Sequence, residues 1–179
     1  MHRQASARLT TCLGWTAALA LAAGCSGIDT FRLIHLATTP VPGAARSPNL
    51  AGSLDFGAFH PADNPDLAGV KRSEIDSIRI QEVWLQVIDP VNGQDLSFLD
   101  AIDIYVSATD QQPKLVATSA AFAKGVNPVK LQHASADLTD FALAEEMRIR
   151  ADAQGSAPPQ NSVLEAHVEM LVDVVILGF

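Results

Sequence analysis

From residue 164 onward the chain alternates. Leu164, Ala166, Val168, Met170, Val172, Val174 and Ile176 share one parity, while Glu165, His167, Glu169 and Asp173 hold the other. Side chains of an extended strand point to opposite faces with a period of two, so this run reads as a strand with one dry face and one wet face. A membrane-spanning helix is excluded, because each acid would cost about 3 kcal/mol at the bilayer centre.

Just upstream, Met147, Ile149, Ala151 and Ala153 alternate with Arg148, Arg150 and Asp152. The intervening QGSAPPQNS is rich in residues that no central strand would hold. Together the two runs predict a hairpin, whose register follows from keeping apolar side chains dry. It sets Ala153 against Leu164, Ala151 against Ala166, Ile149 against Val168 and Met147 against Met170. On the wet face Arg148 then meets Glu169, Arg150 meets His167 and Asp152 meets Glu165.

A second hairpin is expected over 101–119, where Ile102, Ile104 and Val106 alternate with Asp103, Tyr105 and Ser107 before the turn TDQQP and the run KLVATS. Earlier, Ile78 and Ile80 share one parity and Val83, Leu85 and Val87 the other. The switch at Gln81 and Glu82 predicts a β-bulge that re-aims this strand between two sheets. It should end at Asn92-Gly93, which suits a tight turn. Further strands are expected at 31–37, 52–56 and 129–133. Single helical turns are expected at NPDLAGV, with Pro65 in first position after Asn64, and in DLTDFALAEE. Five of the ten prolines fall in 38–74, which reads as irregular crossings between sheets. About seven or eight strands with little helix predict an all-β fold, an antiparallel β-sandwich of immunoglobulin-like or related topology. An outer-membrane barrel would need aromatic girdles, and aromatic residues are 6% of the chain.

The first residues follow another plan. Arg3 and Arg8 precede an uncharged stretch from Leu9 to Gly24, too short for a comfortable transmembrane helix but right for a secretory signal peptide. Its end, Leu21-Ala22-Ala23-Gly24-Cys25, resembles the lipobox of bacterial lipoprotein precursors, with Ala22 where a branched residue is commoner. The resemblance implies cleavage between Gly24 and Cys25 by the lipoprotein signal peptidase, a diacylglycerol on the Cys25 thiol and an acyl group on its amine. Residues 1–24 are then the signal peptide, 25–30 the lipidated tether and 31–179 the single sandwich domain. Acyl chains contribute about 0.8 kcal/mol per buried methylene, and two or more hold a protein on a bilayer stably. Ser26 stands where, in the sorting rule of that family, an aspartate retains the protein at the inner membrane. Its presence implies the bacterial cell envelope, at the outer membrane.

Loss of residues 1–24 removes Arg3 and Arg8, leaving ten Lys and Arg against twenty Asp and Glu, a net charge of −10. Nucleic acid is excluded as a partner by that sign. The only other cysteine, Cys12, is lost too, so the mature domain has no disulfide to form.

Candidates for chemistry are few. His60, Asp63 and Asp66 share one loop, with Asn64, in a pattern of oxygen donors that calcium accepts, though without EF-hand spacing. Asp89 and Asp95 bracket a similar loop. Glu165, His167 and Glu169 line one strand face, but the expected register places Arg148 and Arg150 beside them, which opposes a cation. His35 and His133 lie in apolar strands and read as half-buried residues. No nucleophile motif is present: no G-x-S-x-G, S-x-x-K or H-E-x-x-H. The expectation is a lipid-anchored, non-catalytic binding or structural module, without cofactor, whose partners are the membrane and an envelope protein. A calcium-dependent adhesion domain or an envelope-bound hydrolase are the alternatives.

Overall fold

The computed structural model describes residues 27–46, 49–67, 69–90, 94–144 and 146–176. The signal peptide and the lipidation residues Gly24 and Cys25 lie outside them, as does the Asn92-Gly93 turn. The described residues form nine strands: β1 (Gly27–Val41), β2 (Asn49–Phe59), β3 (Ile75–Asp89), β4 (Leu99–Ala108), β5 (Lys114–Ser119), β6 (Val129–Lys130), β7 (Gln132–His133), β8 (Met147–Ser156) and β9 (Ser162–Ile176). Among the described residues helix is confined to short 3-10 turns, including Pro65–Leu67 and Thr139–Leu143, where single turns were expected.

Two antiparallel sheets face each other, in the orders β1-β9-β3-β6 and β2-β8-β4-β5-β7. The protein is a β-sandwich. Leaving β7 aside, the paired strands are nested: β1 with β9, β2 with β8, β3 with β6, and β4 with β5 around the turn at 109–113. This is one long antiparallel ribbon rolled upon itself. It is the jelly-roll arrangement of two interlocked Greek keys, a relative of the immunoglobulin sandwich.

Alternation explains which faces meet. Val83, Leu85, Val168, Ile104, Val106 and Ile149 point inward from both sheets and are fully buried. Each contributes about 1.5–3 kcal/mol through the apolar surface it removes from water. The expected β4–β5 hairpin is present, with Ile102 opposite Ser119 and Val106 opposite Lys114. The β-bulge in β3 is also present: Ile80 pairs with Met170 and Glu82 with Glu169, so Gln81 is the extra residue that switches the inward parity.

Four expectations are corrected. β8 and β9 do not pair; they are central strands of opposite sheets, and residues 157–161 carry the chain from one sheet to the other. Arg148 therefore meets Asp55 at 3.5 Å, and Glu169 is held by Arg32 at 3.0 Å. The β3 bulge does not move that strand between sheets, because β3 stays beside β9 on both sides of it. Strand also reaches into the segment expected to be irregular, since β1 continues to Val41 and β2 fills 49–59. Finally, β1 begins at Gly27, so residues 27–30 belong to the sheet and not to the tether.

Candidate functional site

A gap in one sheet edge makes the first cleft. Beyond β3 the edge is filled by β6 at Trp84 and Leu85, and again by Asp137 opposite Arg79. Between these points the chain swings to the other sheet, where β7 pairs with β5 and Ala134 donates its N–H to Val116 O at 2.8 Å. The detour leaves a cleft of about 490 Å³ beside the bulge, lined by Ser77, Arg79, His133, Ser135, Asp137 and Asp173 among others.

Asp173 is the organising residue. It is buried. Thr30 donates to its Oδ1 at 2.8 Å, Ser77 donates to its Oδ2 at 2.7 Å, and the Arg79 guanidinium contacts the same Oδ2. One carboxylate on β9 thus ties β1 and β3 together. The Ser77 and Thr30 hydroxyls, helped by Arg79, hold its carboxyl below the usual aspartate range. Asp137 is lowered in the same way, first by the Thr139 hydroxyl and then by the Thr139 backbone N–H. A general base needs a pKa close to the working pH. Both carboxylates are pushed away from it.

The lowered pKa has a sign. Protonation of Asp173 is harder in the folded state than in the unfolded one, so its contribution to stability is complete above the unfolded pKa and is lost as pH falls through the folded value. Ser77→Ala is expected to raise the Asp173 pKa and to move that acid loss to higher pH. Carboxyl-carbon NMR titration of the two proteins checks it; an unchanged Asp173 titration would refute the assignment.

The second cleft, of about 420 Å³, contains the sequence candidates His60 and Asp63 together with Leu33, His35, Phe59 and Pro65. The side chain of Asp66 lies outside the described residues. His35 stacks on Phe59 with ring centroids 4.1 Å apart, and burial lowers its pKa. The backbone around His60 and Asn64 is engaged in turn bonds: Asp63 N–H to His60 O at 3.0 Å and Leu67 N–H to Asn64 O at 3.0 Å. Among the described residues no three His, Cys, Asp or Glu side chains are grouped to hold a metal. Calcium would need six to eight oxygens, roughly. On the other candidate loop, Asp95 accepts the N–H of Ser97 at 2.8 Å and that of Gly125, so its oxygens serve the loop itself.

His133 differs from expectation: it is exposed at the rim of the first cleft, because β7 is a two-residue edge strand. Glu165, His167 and Glu169 do share the outer face of β9. Their neighbours are Gln86, Trp84 and Glu82 on β3, and Thr38, Leu36 and Ile34 on β1. Glu82 is bound by Lys130 at 2.5 Å and by the Trp84 indole N–H at 3.0 Å, while Lys130 lies 5.4 Å from the Trp84 ring centre. The Asp173 cluster escaped the sequence reading. Its one signal was an aspartate in an otherwise apolar strand end, and nothing in the pattern said that Thr30 and Ser77 would flank it.

No protein-family profile and no curated protein sequence matches the chain. Among solved structures, the chain is similar to the BFDV capsid protein in its decameric form, at 10% identity over 84% of this chain and 100% of that one, with a TM-score of 0.44. The 60-mer form of the same protein gives 11% identity, 84% and 94% coverage and a TM-score of 0.38. Desmodium yellow mottle tymovirus gives 11% identity over 100% of this chain and 99% of that one, with a TM-score of 0.30.

Proposed function

We propose that the protein is a lipid-anchored, non-catalytic β-sandwich lipoprotein of a bacterial cell envelope, held at the outer membrane and acting as a binding or structural module. The observation that carries this reading is the run Leu21-Ala22-Ala23-Gly24-Cys25, followed two residues later by the first strand. Cleavage before Cys25 would leave every described strand intact. The clefts support a holding role, since the acids of the first have pKa values lowered by hydrogen bonds. The partners are the membrane, through the acyl chains, and an envelope protein; nucleic acid is disfavoured by the acidic balance.

Mass spectrometry of the native protein tests the anchor. An amino terminus at Cys25 bearing diacylglycerol is expected, whereas an unmodified cysteine or a retained leader would overturn the reading. Cys25→Ser is expected to lower the membrane-bound fraction at least ~10-fold, because the acyl chains are the only stable anchor proposed. Fractionation with washed membranes measures it.

A further inference from the structure

Resting on the proposed tether at Cys25, we infer that the outer face of the β1-β9-β3-β6 sheet lies flat on an anionic bilayer surface. Ile34 and Leu36 then enter the headgroup layer, while Arg32, Arg79 and Lys130 meet lipid phosphates.

The leash is the first reason. Gly27 is the second residue after Cys25, and two residues span at most about 7 Å whatever their conformation. A domain on so short a leash rests against the membrane either on its end or on a face.

The end is the wrong sign. Around the start of β1 are gathered the start of β3, the turn at 109–113 and the turn at 139–143, where Asp29, Asp76, Asp110, Asp137 and Asp140, all exposed, outnumber Lys71 and Lys114. Anionic headgroups would repel that end.

The outer face is close to balanced, with Arg32, Arg79 and Lys130 against Glu82, Glu165, Glu169 and Asp173, although the mature chain carries −10. Its ion pairs are tilted, with the acids sunk and the cations raised. Arg32 is 62% exposed above Glu169 at 9%, and Arg79 is 60% exposed above Asp173 at 11%. Lys130 is 46% exposed above Glu82 at 33%. Ile34 and Leu36, 47% and 56% exposed, project from β1 on the same face, opposite Glu169 and His167. Exposed aliphatic side chains bordered by guanidinium heads suit a headgroup layer, where the attraction is felt within a Debye length. Each contact is individually weak. The tether makes them intramolecular, and a high effective concentration lets weak contacts set the orientation.

Trp84 reports on this face without labelling. It sits opposite His167 on β3, and loss of Trp15 with the leader leaves it as the single tryptophan of the mature chain. The acylated protein is reconstituted in phosphatidylethanolamine vesicles containing phosphatidylglycerol, and acrylamide quenching of Trp84 is compared with that of the soluble Cys25→Ser protein. A severalfold drop in quenching is expected on the vesicles. The combined Ile34→Asp and Leu36→Asp changes should restore solution-like quenching while the protein stays vesicle-bound. High salt should weaken the shielding of the unaltered protein, which removes any dependence on how the variant folds. Acylated, vesicle-bound protein whose Trp84 is quenched as readily as in solution would overturn the docking alone. An unacylated Cys25 would overturn the tether and the docking together.

Discussion

Gly155→Ala is expected to lower the stability of the domain by about 3 kcal/mol or more. Gly155 lies near the end of β8 with φ at +154°, a backbone state that side chains rarely adopt. A Cβ placed there would stand 2.2 Å from the Phe98 carbonyl oxygen and 2.9 Å from the Leu99 Cα. Neither atom can swing aside, because both are backbone. The crowding has a structural origin: Leu99 pairs with Gly155 and Ala101 with Gln154, so Asp100 is an extra residue that pushes β4 toward β8. Ser156 N–H to Phe98 O, at 2.8 Å, fastens the two strands at the same place. Gly52 supplies the control. Its φ is +144° but a Cβ there meets nothing within 4 Å, so Gly52→Ala isolates the backbone strain at about 1–2 kcal/mol. Urea unfolding of both variants measures the difference, and equal losses would refute the clash.

Phe141→Ala is expected to cost about 3–5 kcal/mol and to lower the melting temperature by about 10 °C or more. Phe141 belongs to the turn Thr139–Leu143 and is fully buried, so it plugs one end of the sandwich. Its support is local and well defined. Leu138 N–H bonds Ile78 O at 2.8 Å, and Thr139 Oγ1 accepts the Ile78 N–H at 3.2 Å, which fixes the turn against β3. Lys114 Nζ lies 5.0 Å from the ring centre, and that ammonium would lose its aromatic partner as well. Phe141→Leu should retain more than half of the stability that Phe141→Ala loses, since most of the lost volume is restored. Thermal unfolding followed by circular dichroism checks both. A Leu variant no better than the Ala variant would show that the plug depends on the ring and not on filled space.

The same elements show what the sequence can and cannot say. Alternation identified the inward residues of β3, β4, β8 and β9 because a side chain's face depends only on its own strand. The parity switch at Gln81 and Glu82 located a real bulge for the same reason. Pairing is a different kind of fact, since it depends on a second strand. β4 and β5 could be matched because they flank the innermost turn of the rolled ribbon and lie close in sequence. β8 and β9 also lie close in sequence, yet their dry faces meet the core from opposite sheets, and alternation looks identical in both cases. The connection itself, residues 157–161 with Pro158 and Pro159, is within the length that hairpins use, so its length did not set it apart. The first cleft was illegible altogether, because it exists where the chain between Leu131 and Leu138 leaves one sheet and returns.

The place of the final strands has a consequence for how the chain is made. β8 and β9 are made after the other seven described strands, and each fills the middle of a sheet. Until they arrive, β1 and β3 have nothing between them, and neither have β2 and β4. Closure is therefore a late, long-range event that cannot proceed piece by piece from the amino terminus. Until that moment the inner edges of β1, β2, β3 and β4 stand open, each a row of unpaired backbone groups waiting for a partner.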